Sequence, residues 1–143
     1  MWIKDIVKQL TGTHKTNDPF AIAELRNIQV ILWNLHQEIK GFYKYDKRNK
    51  YIFINNNLDE DEQKFVCAHE LGHAQLHPRV NTPFLRNNTL LSVDRIEIEA
   101  NRFAVELLMP DAVINEYQDS NLSIYEICEQ YSVPRELAHV KKF

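Results

Sequence analysis

The apolar positions in the first part of the chain fall at helical spacing. Residues 2–10 place their large apolar side chains three and four positions apart, which predicts a helix that ends at residues 11–13. Asp18 and Pro19 then supply an N-cap and a proline at the first helical position. A second short helix is therefore predicted to run to about Arg26.

After the second helix the pattern changes to that of β-strands. Residues 28–33 are rich in β-branched and large apolar side chains. Two similar segments, 41–45 and 51–54, flank the polar run 46–50, which is typical of a hairpin. We therefore expect a three-stranded sheet that is antiparallel in part.

The helical pattern returns at Leu58 and continues to about His77. Asn57 is the predicted N-cap, the acidic residues that follow it suit the positive end of the helix dipole, and Pro78 ends the helix. Residues 78–92 show no period and predict a long loop. Such a loop is either a gate for substrate or a passive connector, and the sequence favours neither.

Further helices are predicted after this loop. The first is capped by Ser92 or Asp94 and ends at Leu108, before a Met-Pro pair that breaks the pattern. Ser132 is the predicted cap of the last helix. The shorter helices are expected at residues 110–118, 123–131 and 134–140.

Together these elements predict an α+β fold class, a mostly helical small domain with a three-stranded sheet. The length of 143 residues fits one domain. We expect residues 1–118 to hold the sheet and the core, and residues 119–143 to form a C-terminal helical pair.

Composition narrows the functional classes. The net charge of −3 gives no sign of a polyanionic partner, so direct nucleic-acid binding is not expected. Cys67 and Cys128 are too few for a disulfide framework and indicate reduced thiols in the cytoplasm. The first ten residues mix charges among apolar side chains, unlike a signal peptide, and no apolar run approaches the roughly 20 residues that span a bilayer.

The predicted helix 58–77 carries the sequence His-Glu-Leu-Gly-His. His69 and His73 are four residues apart, so they lie one turn apart on one face and can converge on one metal ion. Glu70 lies about 100° around the helix and can face a metal-activated water as a general base. Gly72 costs about 1 kcal/mol relative to alanine in mid-helix. We therefore expect another element to approach the helix closely there.

A catalytic zinc site needs a third protein ligand and one open position. The predicted helix before Leu108 offers Glu97 and Glu99, which lie about 200° apart around its axis. Asn101 is four residues after Glu97 and shares its face, where its amide can hold a ligand histidine through the free ring nitrogen. This pairing favours Glu97 as the ligand, with Glu99 as the alternative.

The chain resembles the ImmA/IrrE family of metallopeptidases that carry the His-Glu-x-x-His motif. The resemblance covers nearly the whole chain, and two joined motifs in it are distinctive. The matching segments are residues 17–20, 41–43, 54–55, 68–73, 76–78, 99–104 and 107–110.

This resemblance implies a zincin-like active-site helix and a Zn2+ ion held by His69, His73 and Glu97. It implies a regulatory endopeptidase, often encoded by phages and mobile elements, that cleaves a partner repressor with a helix-turn-helix domain and so derepresses the element. A non-cleaving, metal-binding regulator that inactivates the repressor is the alternative function. Glu70→Gln separates the two.

Three regions allow other contacts. His77 lies one turn after His73 and is expected to cap the helix end, with substrate contact as a second role. A peptide substrate is expected to add a strand at residues 51–54 or 28–33. Residues 123–140 resemble a helix-turn-helix, which would make the chain a DNA-binding regulator, although a C-terminal helical cap or a repressor-docking surface is favoured. The side chains available for DNA are Arg135, His139, Lys141 and Lys142.

Overall fold

The computed structural model describes residues 2–82 and 84–141, with only the backbone of residues 87 and 88. The elements confirm a mostly helical α+β fold with one three-stranded sheet. In chain order they are helices α1 (Trp2–His14) and α2 (Pro19–Leu25), strands β1 (Ile28–Trp33), β2 (Gly41–Asp46) and β3 (Asn49–Asn55), helix α3 (Glu60–Leu76), a first 3-10 helix (Asn87–Leu91), helices α4 (Arg95–Leu108), α5 (Asp111–Glu116) and α6 (Ile124–Gln130), and a second 3-10 helix (Arg135–Val140).

The first two helices begin and end largely for local reasons. The Asp18 side chain accepts a hydrogen bond from the Phe20 N–H at 3.0 Å, so the predicted cap of α2 is confirmed. The predicted end of α1 at residues 11–13 is wrong. That helix continues to His14 and stops where Lys15 takes a left-handed conformation with φ 57°.

The sheet has the strand order β1-β3-β2. Strand β3 pairs in parallel with β1 and antiparallel with β2. The turn between β2 and β3 is shorter than the polar run suggests, because Lys47 and Arg48 both adopt positive φ and close a two-residue hairpin.

The central position of β3 corrects one prediction. Residues 51–54 are paired on both sides, so they cannot accept a peptide strand. Among the described residues β1 pairs only with β3, so residues 28–33 retain the predicted role as an open edge.

Helix α3 starts two residues later than expected. Asp59, not Asn57, is the N-cap, and its side chain accepts the Glu62 N–H at 2.8 Å. The amide of Asn57 instead donates to Asn34 and Asn55, which ties the loop before α3 to the end of β1.

Two glycines allow α3 to pack closely between the sheet and α4. A Cβ atom on Gly41 would lie 2.6 Å from Cγ1 of Val66 in α3. A Cβ atom on Gly72 would lie 3.1 Å from the side chain of Phe103 in α4, so the expected close approach is present. The residues buried around these contacts include Tyr43, Ile52, Ile54, Leu71 and Leu107.

The segment predicted as a structureless loop is partly ordered. Leu85 exchanges backbone hydrogen bonds with Lys40 and Gly41, each 2.8 Å long, and so lies against β2. A 3-10 helix follows at residues 87–91. Of the two candidate caps for α4, Asp94 is the N-cap and accepts the Ile96 N–H, whereas the Ser92 hydroxyl accepts the N–H of Asp94 itself.

The C-terminal elements differ from a helix-turn-helix. The last element is a 3-10 helix, and Ser132 does not cap it, because that residue has φ 64° and its hydroxyl donates to Asp61. The guanidinium of Arg135 lies over the ring of Tyr125, and the exposed His139 ring contacts the Glu136 carbonyl.

The assignment of Lys141 as a DNA contact is wrong. Its ammonium group is buried and donates to the carboxylates of Glu106 in α4 and Asp111 in α5. Lys142 lies outside the described residues. The single-domain organisation stays a prediction, although this buried lysine ties the C-terminal segment to the core helices.

We expect Lys141→Met to lower the free energy of unfolding by about 3 kcal/mol, because it leaves the buried Glu106 carboxylate without its nearest cation. Chemical denaturation measures the change. The double variant Lys141→Met/Glu106→Met should recover most of the loss, since a buried ion pair can be replaced by packed apolar side chains. A loss below about 0.5 kcal/mol for the single variant would show that the pair does not hold the C-terminal segment.

In the part of the chain that the structure describes, no helix is both long and apolar enough to cross a membrane.

Candidate metal centre

Two histidines of α3 meet in the interior of the molecule. His69 and His73 lie on successive turns, and their ring centroids are 4.9 Å apart in an edge-to-face arrangement. Both side chains are fully buried. A buried imidazole needs polar partners, and these come from the neighbouring helix α4.

Helix α4 contributes a carboxylate to both rings. Glu97 Oε1 lies 3.1 Å from His69 Nε2 and 3.2 Å from His73 Nε2. Ligand atoms at about 2.0–2.1 Å from a tetrahedral zinc ion are about 3.3 Å from one another, so the spacing fits a shared ion. The second carboxylate oxygen of Glu97 is buried and has no hydrogen-bond partner among the described residues.

Glu70 brings a second carboxylate to the same place. Ligand atoms of His69, Glu70 and His73 all lie within 4.8 Å of one another. Both Glu70 oxygens are buried, and neither has a hydrogen-bond partner within the described part of the chain. Burial raises the pKa of Glu70 to about 8, with a lowering effect from His69 and a further rise from Glu97. Such an orphaned carboxylate is suited to a cation or a reacting water.

Asn101 orients the first histidine. Its Oδ1 lies 2.8 Å from His69 Nδ1, and both groups are buried. Because an amide oxygen only accepts, Nδ1 carries a proton, which leaves Nε2 as the ring nitrogen that faces Glu97 and could bind a metal ion. The pairing predicted between Asn101 and a candidate ligand histidine is therefore present.

The charges of the three groups are coupled through Glu97. Burial acts to raise the pKa of Glu97, but the hydrogen bonds from His69 and His73 outweigh it and hold the value at about 2. Burial lowers the pKa of His73 to about 4 despite the Glu97 contact. Burial also opposes charge on His69, but Glu97 and Glu70 raise its pKa overall. The surroundings thus favour a proton on His69 more than on His73.

The structure separates the two candidate glutamates. Glu97 faces both histidines, whereas the Glu99 carboxylate lies 2.8 Å from His77 Nε2 and 3.2 Å from Arg95 Nε. His77 is the C-cap of α3 through its backbone N–H, as expected, but its ring also lies 3.0 Å from His73 Nδ1.

The contact of His77 with Glu99 was missed by the sequence prediction. The available signal was the four-residue spacing from His73 to His77, which repeats that of the motif itself. It did not reveal Glu99, because the pairing depends on how α4 packs against α3.

Comparison with known proteins supports this picture. Residues 23–141 match the model of the Peptidase_M78 family, described as the IrrE N-terminal-like domain. The chain is 58% identical over 139 residues to immunity region protein 2 of Bacillus phage phi105, covering 97% of this chain and 88% of the relative. It is 36% identical over 114 residues to metallopeptidase ImmA of Bacillus subtilis strain 168, covering 80% and 67%.

These relatives confirm the family resemblance seen in the sequence. The match is to a metallopeptidase-like family with a phage immunity protein among the relatives, and among the described residues the buried His-Glu-His cluster could hold a metal ion. The chain therefore belongs to the Peptidase_M78 family of IrrE N-terminal-like domains.

Proposed function

We propose that the protein is a zinc-dependent endopeptidase. His69, His73 and Glu97 hold the ion, and Glu70 is the general base. The observation that carries the proposal is the convergence of two imidazole nitrogens on one carboxylate oxygen at 3.1 and 3.2 Å, beside a second carboxylate that lacks a hydrogen-bond partner among the described residues. Two imidazoles and one carboxylate with an open position are the donor set typical of catalytic zinc.

Peptide hydrolysis assigns a task to each of these side chains. Bound zinc supplies Lewis-acid polarisation of a carbonyl and of a water molecule. Glu70 takes a proton from the water while the water oxygen bonds to the peptide carbon. Glu70 then passes that proton to the departing nitrogen when the C–N bond breaks. Asn101 keeps His69 in the tautomer that presents Nε2 to the ion.

The proposed substrate is a transcriptional repressor with a helix-turn-helix domain, and its cleavage would derepress a phage or mobile element. The family resemblance supports this choice, and so does the relative from a phage immunity region. The protein would act as an anti-repressor in the cytoplasm, with no membrane and no direct nucleic-acid contact. The buried Lys141 counts against the DNA-binding alternative, because it removes one of the few cations proposed for phosphate contact.

A regulator that binds a repressor without cutting it is the second candidate. One observation favours it: His69, Glu70, His73 and Glu97 are each no more than 3% exposed, so a peptide must displace part of the protein to reach them. Catalysis remains the first choice, because a purely structural metal site needs no unpaired Glu70.

Incubation with a repressor encoded beside this protein tests the proposal. We expect two defined fragments with zinc-loaded protein, none after chelation, and recovery of cleavage when zinc is restored. A repressor that stays intact with zinc-loaded protein yet loses operator binding would favour the non-cleaving regulator. Mass spectrometry of the fragments separates specific cleavage from general degradation.

A further inference from the structure

A line of polar side chains leads from the surface to the candidate metal centre. Arg95 Nε lies 3.2 Å from Glu99 Oε2, and His77 Nε2 lies 2.8 Å from Glu99 Oε1. On its other side His77 Nδ1 lies 3.0 Å from His73 Nδ1, and His73 Nε2 faces Glu97. Both histidine rings therefore use both nitrogens.

We propose that His77 and Glu99 form a positioning pair that holds His73 ready to bind the metal ion. The proposal rests on the metal centre assigned above and adds two residues to it. Neither His77 nor Glu99 would touch the ion. They would act through His73, by fixing which of its nitrogens carries the proton and how its ring is turned.

The direction of the hydrogen bonds follows from chemistry. A carboxylate only accepts, so Glu99 requires the proton of His77 on Nε2. In neutral His77 the Nδ1 atom is then an acceptor, and the contact at 3.0 Å requires a donor on His73 Nδ1. With a proton on Nδ1, His73 keeps Nε2, the nitrogen that faces Glu97, as the one that would bind the metal ion.

The two ligand histidines are thus oriented from the same helix by different means. Asn101 contacts His69 directly, whereas Glu99 reaches His73 through His77. The His77 and Glu99 side chains are 9% and 15% exposed, so solvent competes little for their contact. Arg95 is 87% exposed and is expected to add little.

In this arrangement both ring nitrogens of His77 already have partners, so the predicted substrate contact of His77 would have to compete with them. Substrate could bind His77 only by breaking a contact with His73 or Glu99. The same geometry argues against Glu99 as a ligand. Its two oxygens face His77 and Arg95 instead of the ion site.

Zinc affinity, measured by competition with a chromophoric chelator, tests the pair without using activity. We expect His77→Ala and Glu99→Ala to weaken zinc binding about 10- to 100-fold, the usual effect of losing a partner of a ligand histidine. His77→Gln should recover most of the affinity, because its amide can accept from His73 and donate to Glu99. His139→Ala and Arg95→Ala serve as controls and should stay within about twofold.

A second readout separates orientation from folding. Cobalt-loaded His77→Ala should show an altered visible absorption spectrum, while thermal unfolding of the metal-free variant stays close to that of the wild type. If His77→Ala does not fold, Glu99→Ala and Glu99→Gln decide by the same two readouts.

The possible failures are distinguishable. Wild-type protein that binds no zinc would overturn the metal centre itself. Wild-type protein that binds zinc, with His77→Ala and Glu99→Ala within twofold of it and an unchanged cobalt spectrum, would overturn only the positioning pair.

Discussion

Glu70→Gln is expected to lower the rate of repressor cleavage by about 10²- to 10⁴-fold, the usual contribution of a general base. Glutamine keeps the size and shape of the side chain, but its amide cannot take a proton from water. Zinc affinity should change little, since Glu70 is not one of the three proposed ligands. Quantified fragment formation and a chelator titration of the same sample measure the two effects.

The burial of Glu70 also affects how the same substitution changes the stability of the protein. Both of its oxygens are buried without a hydrogen-bond partner among the described residues, so the metal-free protein bears the cost of an unsatisfied carboxylate. Glu70→Gln should therefore raise the midpoint of thermal unfolding of the metal-free protein. Loss of activity with a gain of stability is expected where a residue is kept for chemistry.

Glu60→Gln is the matched control, because Glu60 lies exposed in the first turn of the same helix. It should cleave at the wild-type rate. Cleavage by Glu70→Gln at more than a tenth of that rate would rule out Glu70 as the base.

Glu97→Gln should weaken zinc binding by more than about 100-fold, beyond the effect of any partner that only orients a ligand. The substitution keeps the shape of the side chain but removes the negative charge that both imidazoles face at 3.1 and 3.2 Å. Cleavage should fall to the level seen with chelator. Isothermal titration with zinc, alone and against a competing chelator, gives the affinities.

Glu99→Gln is the comparison that discriminates between the two glutamates of α4. Because Glu99 is proposed to act only through His77, Glu99→Gln should weaken zinc binding by about tenfold or less. The opposite order, with Glu99→Gln the more damaging substitution, would make Glu99 the ligand and contradict the arrangement of α4.

The local features of the fold were largely predictable. The cap formed by Asp18 and Pro19, the hairpin, and the helix carrying His69 and His73 follow from spacing and from turn chemistry. The errors lie where two local signals compete. Asp59 and Asn57 are both good caps, and in the structure Asn57 instead contacts Asn34, which is distant in sequence.

What the sequence could not provide depends on packing between elements. The strand order depends on the parallel pairing of β1 with β3, and the residue pattern of a single strand does not show which strand it will pair with. The burial of Lys141 required α4 and α5 to meet the C-terminal segment. The contact of Glu97 with the histidines was predictable because Asn101 shares its helix face, whereas the link from Glu99 to His77 could not be found in this way.

Anomalous diffraction on either side of the zinc absorption edge, from crystals of the zinc-loaded protein, tests the metal centre most directly. We predict one strong peak within bonding distance of His69 Nε2, His73 Nε2 and the Glu97 carboxylate, with Glu70 close by but not bound to the ion. The absence of a peak after zinc loading, or a peak at His77 and Glu99 instead, would contradict the proposed centre and the mechanism that depends on it.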